Sequence, residues 1–325
     1  MQHSASKTQL HMSKYIADTV VMIRPNYFGF NAETAASNAF QQEIDAPIIN
    51  IRTSAIGEFE VYVALLRRHG INVLVYDDLE DPYTPDAVFP NNWFSTCPHT
   101  QKLFLYPMKN GIRAAERRED IIKDLEEITA YQVDRDLLSF ESKDLALEGT
   151  GSMVLDHQNK IAYAAISPRT DASVLKEWCD KVGFEMESFD TSGPTGELIY
   201  HTNVMMTMAD DYVVICLSCL KDNSEKESLL KRFDATNKEV IDISIEQMNA
   251  FAGNMLQLKN VSGQKFLVMS ASAKLSLLKY QEEIIIQKHD NHILAAEIPT
   301  IETIGGGSAR CMIAEVFGND NAVAL

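Results

Sequence analysis

Cys311 closes the segment Gly305-Gly306-Gly307-Ser308-Ala309-Arg310-Cys311, a glycine-rich turn that runs into the apolar Met312-Ile313-Ala314-Glu315-Val316-Phe317. Glycines admit backbone conformations that other residues avoid and leave room beside the chain for a bound molecule. A thiol at the end of such a turn sits where a strand or helix begins, which is how a nucleophile is presented. A cysteine nucleophile needs an acid–base partner within hydrogen-bond reach, and that partner needs a third group to orient it. His201, in Gly196-Glu197-Leu198-Ile199-Tyr200-His201-Thr202-Asn203 at the head of an apolar strand, is the best-placed histidine. His3 and His11 lie in the N-terminal tail, His69 ends a helical pattern, and His99, His157, His289 and His292 fall in polar or charged turns. Glu148 opens Glu148-Gly149-Thr150-Gly151-Ser152-Met153-Val154-Leu155 after the apolar Leu145-Ala146-Leu147. A carboxylate in that setting is partly buried and needs a partner. A single histidine, or an acid beside glycines, is ordinarily structural. The three residues gain weight together because each heads a different strand.

A fourth group is Asp86-Ala87-Val88-Phe89-Pro90-Asn91-Asn92-Trp93-Phe94. Pro-Asn-Asn is common turn chemistry. Two carboxamides can also donate to and accept from a neutral polar ligand, which suits a recognition rim. Arg117-Arg118 reads as a helix face and Arg169 follows a strand in Ser167-Pro168-Arg169-Thr170. Cys216 and Cys219 have CxxC spacing but lie within one apolar strand and have no second pair, so metal binding is not expected there. Cys97 and Cys179 read as ordinary small side chains.

The elements that would position these groups form a faint repeat. Short β-type runs, most of them opened by a small or amide residue, occur at Thr19–Ile23, Trp93–Thr96, Ser152–Leu155, Asn203–Met208 and Met255–Leu258. Second strands follow at Lys102–Tyr106, Ile161–Ala165, Tyr212–Leu217 and Lys265–Met269. Helical patterns come next, over Ile112–Glu127, Asp171–Val182, Ser224–Phe233 and Ala273–Gln281. The closing strands are Asn72–Tyr76, Gly183–Phe189, Glu239–Ile243 and His292–Ala295. A strand–strand–helix–strand unit recurring at roughly 50–65 residues predicts a radial array, in which Glu148, His201 and Cys311 converge on the axis. A doubly wound α/β sheet also alternates strands and helices. It is disfavoured because no strand leads into a glycine-rich phosphate loop followed by a helix.

The 325 residues suffice for one large α/β architecture or two ordinary domains. The expected organisation is a tail over residues 1–18 and a single domain over 19–325. A net charge of −17 argues against a nucleic-acid partner, since phosphate recognition needs a basic face. No stretch approaches the roughly 20 apolar residues of a membrane span, and five scattered cysteines do not suggest a disulfide framework. A cytoplasmic location is expected, and homo-oligomerisation is left open.

Taken together these segments resemble the guanidino-group-modifying enzymes of the pentein superfamily, over about Thr19 to Phe317. The resemblance implies a five-bladed pentein α/β-propeller. It also implies a reaction with no metal or organic cofactor, in which Cys311 is the nucleophile, His201 the general acid/base and Glu148 its carboxylate partner. Asp86 would receive a substrate α-amino group, and Arg117 and Arg169 an α-carboxylate. That pairing suits the planar guanidinium fork.

Asn91 and Asn92 stand where relatives acting on cationic guanidines carry acids. A guanidinium in a buried pocket without a counter-charge is disfavoured, whereas a neutral ureido carbonyl wants a donor that a carboxamide supplies. The sequence is most similar to the citrulline-utilisation hydrolases, through this stretch and through Arg24-Pro25-Asn26-Tyr27-Phe28-Gly29-Phe30-Asn31, in which Phe28 would contact substrate. The implied small-molecule partner is citrulline. Alternatives are an arginine or guanidine deiminase or amidinotransferase of the same superfamily, or a non-catalytic pentein binding protein.

Overall fold

The computed structural model describes residues 14–193 and 196–318. The tail at residues 1–13 lies outside the described residues, as does the end of the chain beyond Gly318. Fifteen strands make five three-stranded sheets. In chain order they are β1 (Thr19–Arg24), β2 (Asn72–Asp77), β3 (Phe94–Cys97), β4 (Lys102–Leu105), β5 (Gln132–Asp134), β6 (Val154–Asp156), β7 (Ile161–Ala165), β8 (Glu185–Phe189), β9 (Met206–Met208), β10 (Tyr212–Ile215), β11 (Glu239–Asp242), β12 (Leu256–Lys259), β13 (Lys265–Ser270), β14 (Asn291–Ala296) and β15 (Ala314–Val316).

Every sheet repeats one pattern. A first strand pairs antiparallel with a middle strand, which pairs parallel with a third. The antiparallel step needs only a tight turn, such as the one ending at Lys160 (φ 55). The parallel step needs a crossover, and a helix supplies it each time. The helix Ala172–Val182 shows how the sequence sets its limits. The Asp171 side chain caps the Ser173 and Val174 N–H groups, and Gly183 takes a left-handed φ of 72° at the far end. Val174, Leu175, Trp178, Cys179 and Val182 form its buried face, with Trp178 edge-on to Phe104 and Phe184. Middle strands such as β7, Ile-Ala-Tyr-Ala-Ala, are buried on both faces and read as continuous apolar runs.

The first strands carry the ring. β15 lies against β3, β6 against β9, and β9 against β12. The short helix Gly149–Ser152 at the head of β6 packs on β3, and the Lys259 N–H donates to Ala17 O between the last and first sheets. The ring closes on one sheet built from both ends of the chain, in the order β15-β1-β2. The expected five-unit radial α/β array is therefore the observed one.

Three local expectations change. Ile112–Glu127 is not one helix but Gly111–Ala114 and Glu119–Thr129, with a break between them. His201 and Glu148 each precede a single helical turn, Thr202–Met205 and Gly149–Ser152, before their strands begin. The helix Ile48–Arg68 was legible only at its Arg67-Arg68-His69 end. Among the described residues no helix is long and apolar enough to cross a membrane.

Candidate active site

The turns heading the first strands point toward the axis and border a pocket of about 260 Å3, part of it open to solvent. Asp86, Asn92, Arg113, Arg169, His201 and Cys311 line it. The helix Pro299–Gly305 ends there, with Gly306 (φ 63) as its left-handed cap, and the chain turns through Ser308 to Cys311. A side chain at Gly305 or Gly307 would collide with the Phe89 ring at 2.7–2.9 Å, so these glycines let the turn approach the Phe89 wall. Ser308 Oγ donates to Glu302 Oε1 at 2.6 Å, and Tyr200 OH to Gly306 O at 2.6 Å. Both bonds fix the turn that presents the thiol.

Glu148 and His201 meet as a buried pair, with Nε2 of His201 2.8 Å from Oε2 of Glu148. Burial opposes the Glu148 charge. The nearby Arg169 guanidinium, Nη1 at 3.6 Å, and the His201 hydrogen bond prevail and hold its pKa at about 2. Burial pulls His201 down to about 4, against the pull of Glu148. At neutral pH this is an ionised carboxylate beside a neutral imidazole. An ionised carboxylate only accepts, so Nε2 carries the proton and Nδ1 is left as the basic nitrogen.

Burial also pushes the Cys311 thiol up, opposed by the Ser308 backbone and the Asn254 amide. Asn254 Nδ2 is 3.2 Å from Cys311 Sγ and Asn203 Nδ2 is 3.6 Å from it.

Asp86 is buried, and burial raises its pKa. Its Oδ2 accepts from Asn31 Nδ2 at 2.7 Å and Thr34 Oγ1 at 3.1 Å, whereas Oδ1 has no hydrogen-bond partner among the described residues. A buried acceptor left in that state is costly and marks a place for a donor. Asn92 lines the cavity, with Oδ1 accepting from Arg113 Nη2 at 3.1 Å and Nδ2 donating to Asn91 Oδ1 at 3.1 Å. Asn91 stands one layer back, donating to Thr150 Oγ1 at 3.3 Å.

Arg169 lines the cavity, held by Thr34 O at 3.0 Å and Ser37 Oγ at 2.8 Å and set over the Tyr200 ring. Arg117 does not line it. Its guanidinium forks onto Glu141 at 2.7 and 3.0 Å. The residue that faces inward is Arg113, bonded to Glu116 at 2.5 and 3.0 Å. In an unbroken helix positions 113 and 117 would share a face; the break at residues 115–118 separates them. Burial opposes the Arg113 charge, but Glu116 and Asp86 hold its pKa above the ordinary value, while burial lifts Glu116 to about 7. Phe28 is fully buried and packs toward Gly305, outside the cavity lining.

Among the residues here that were not singled out in the sequence are Arg113, Asn203 and Asn254. Arg113 has no local signal. Asn254 has one, because it heads β12 as Cys311 heads β15, and that register was readable from the repeat. A second cavity, of about 650 Å3, follows residues further along β6, β9 and β12. Among the described residues no group of three or more His, Cys, Asp and Glu could hold a metal ion.

Five three-stranded α/β units converging on a buried Cys, His and carboxylate define the class, the guanidino-group-modifying hydrolases of the pentein superfamily, which act on C–N bonds other than peptide bonds. The chain belongs to the family described as N,N dimethylarginine dimethylhydrolase, eukaryotic, whose model matches residues 24–318.

Solved structures agree on the fold. The N-terminal domain of ArgZ, a cyanobacterial arginine dihydrolase of the ornithine-ammonia cycle, was solved with substrate. It is 15% identical with a TM-score of 0.70, over 92% of this chain and 98% of that one. AgrE in complex with L-arginine is 16% identical with a TM-score of 0.71, over 94% of this chain but 41% of that one. A dimethylarginine dimethylaminohydrolase adduct with S-methyl-L-thiocitrulline is 12% identical with a TM-score of 0.62, over 92% and 100%. No curated protein sequence matches the chain.

Proposed function

We propose that this chain hydrolyses the ureido group of free L-citrulline, giving L-ornithine, ammonia and carbon dioxide through a covalent thiocarbamate on Cys311. The observation that carries this reading is the cavity wall at Asn92, a carboxamide bonded to the buried Arg113. A guanidinium placed there would meet a neutral amide and a second cation. A ureido carbonyl is uncharged and accepts hydrogen bonds, so it suits a wall of N–H donors. Asp86 Oδ1 takes the substrate's α-ammonium and Arg169 its α-carboxylate. Arg117 has no place in this scheme because Glu141 already fills its fork.

In the reaction, Nδ1 of His201 accepts the Cys311 proton and sulfur attacks the ureido carbon. The imidazolium, steadied by Glu148, returns the proton to the departing ammonia as the C–N bond breaks. Water, deprotonated by the same nitrogen, then adds to the thiocarbamate and the C–S bond breaks. The released N-carboxy-ornithine decomposes to ornithine and carbon dioxide.

A second reading keeps the nucleophile and takes a cationic guanidine. The similar solved structures favour it, since ArgZ is an arginine dihydrolase and AgrE was solved with L-arginine. Separate incubations with citrulline and arginine, assayed for ornithine and ammonia, decide between the two. Ornithine from citrulline at a kcat/KM at least tenfold above that from arginine is expected; the reverse ratio overturns the citrulline reading. The Cys311→Ala variant should lose turnover and retain citrulline binding.

A further inference from the structure

The five first strands begin at equivalent places around the axis. Asn92, Asn203 and Asn254 stand near the heads of β3, β9 and β12, as Cys311 stands near the head of β15. Two of these amides reach the sulfur, Asn254 Nδ2 at 3.2 Å and Asn203 Nδ2 at 3.6 Å. The Asn254 amide cannot be flipped. Its Oδ1 accepts from the Arg310 N–H at 3.0 Å, and its Nδ2 donates to Asn203 O at 2.8 Å. An amide nitrogen has two hydrogens. With one directed to Asn203 O, the other faces Sγ. Asn254 is fully buried, so water does not compete for that hydrogen.

The charged and titratable groups around the sulfur are otherwise engaged. Arg310, next in the chain, donates to Ile313 O at 2.7 Å and pairs with Glu315 at 2.8 Å. Across the cavity Arg113 is bound to Glu116, and Arg169 to Thr34, Ser37 and Glu148. His201 is held by Glu148. Tyr62 donates to Ala309 O at 3.2 Å and Tyr200 to Gly306 O at 2.6 Å, and Asp86 would repel a thiolate. Beside the Ser308 backbone and the charge of Arg310, the groups that favour the anion are these amides, of which Asn254 holds the shorter and fixed contact.

We infer that Asn254, assisted by Asn203, is the positioning residue that governs ionisation of the Cys311 sulfur, by donating a fixed amide N–H that bonds the thiolate more strongly than the thiol. The inference rests on Cys311 being the nucleophile and is independent of which substrate it attacks. A hydrogen bond to the charged form of a group favours that form, so Asn254 offsets part of the upward push of burial and lessens the work asked of His201.

The test is alkylation of the full-length protein by iodoacetamide, following the Cys311 peptide by mass spectrometry across pH, with ultraviolet thiolate absorbance read against a Cys311→Ser background. Asn254→Leu should move the midpoint up by about one pH unit, slowing labelling about tenfold at neutral pH while the alkaline plateau rate stays near that of the parent protein. Asn254→Ser, whose hydroxyl can donate, should recover part of the loss. If Asn254→Leu does not fold, Asn254→Asp has the same shape and should slow labelling further, because it faces sulfur with an acceptor. An unmoved midpoint in a folded Asn254 variant overturns the inference. Labelling needs no substrate, so a chain that fails on citrulline but shows the shift refutes only the citrulline reading.

Discussion

The chemistry proposed for this protein depends on which nitrogen of His201 carries a proton. Glu148 decides it. An ionised, fully buried carboxylate 2.8 Å from Nε2 accepts only N–H, which leaves Nδ1 as the base. Glu148→Gln has nearly the same shape but can present an amide N–H instead, and so loses control of the tautomer. It should lower kcat by about 10²–10⁴-fold with little change in KM, by analogy with other oriented imidazoles. Steady-state kinetics on whichever substrate is turned over check this, and parent-like kcat would remove Glu148 from the orienting role. Asn92→Asp places a carboxylate beside Arg113 and takes a donor from the wall. Citrulline kcat/KM should fall by about 10²-fold, since a site built to hydrogen-bond a group rejects ligands it can no longer satisfy. Unchanged citrulline selectivity would break the argument from the amide wall.

Elements matter here because single helical turns set the side chains. Gly151 lies in the turn Gly149–Ser152 that follows Glu148, and a Cβ there would come within 2.4 Å of Asn92 Nδ2 and 2.8 Å of the His201 ring. Gly151→Ala must therefore shift the imidazole or the amide wall. Misplacement on the order of 1 Å costs about 10²-fold in rate, and that is the expected fall in kcat. Asp171→Ala is the contrasting case. It removes the cap on a helix whose buried face packs into the core and not into the cavity lining. It should cost about 1 kcal/mol of stability, seen as a lower thermal midpoint, with kcat unchanged.

At the scale of the whole molecule, ring closure and buried charge set stability. β15 pairs with β1, so the two ends of the chain complete one sheet. Buried histidines add a pH dependence. Burial brings His201 to about 4 and His157 to about 3, both from 6.5, so each is neutral when folded and protonated when unfolded across that window. The unfolded state then binds more protons, and stability falls as pH drops from 6.5 toward 4. Glu116, lifted to about 7 by burial, acts in the opposite sense from 4.5 to 7, where stability falls as pH rises. Burial also lowers His99 and raises Glu58, Asp78 and Asp86, so each side of this balance has further members. The histidine contribution is isolated by substitution: thermal midpoints across pH should show a smaller loss between pH 6.5 and 4 in His157→Gln than in the parent protein. Equal acid losses in the two proteins would contradict this account.

The strand–strand–helix–strand period and the heads of the strands were readable from the sequence, because alternating burial and turn residues are local properties. That was enough to nominate Cys311, His201 and Glu148, whereas the role of Asp86 and the reading of Asn91 and Asn92 as amides where an acid would serve a cation came from the resemblance to the pentein superfamily. The place of Asn254 at a strand head was readable from the repeat, but its bond to sulfur, the inward turn of Arg113 and the outward turn of Arg117 were decided by tertiary structure. A break in one helix rotates neighbouring arginines to opposite environments, and contacts across the axis join residues from separate units. Neither has a signature in any short stretch of chain.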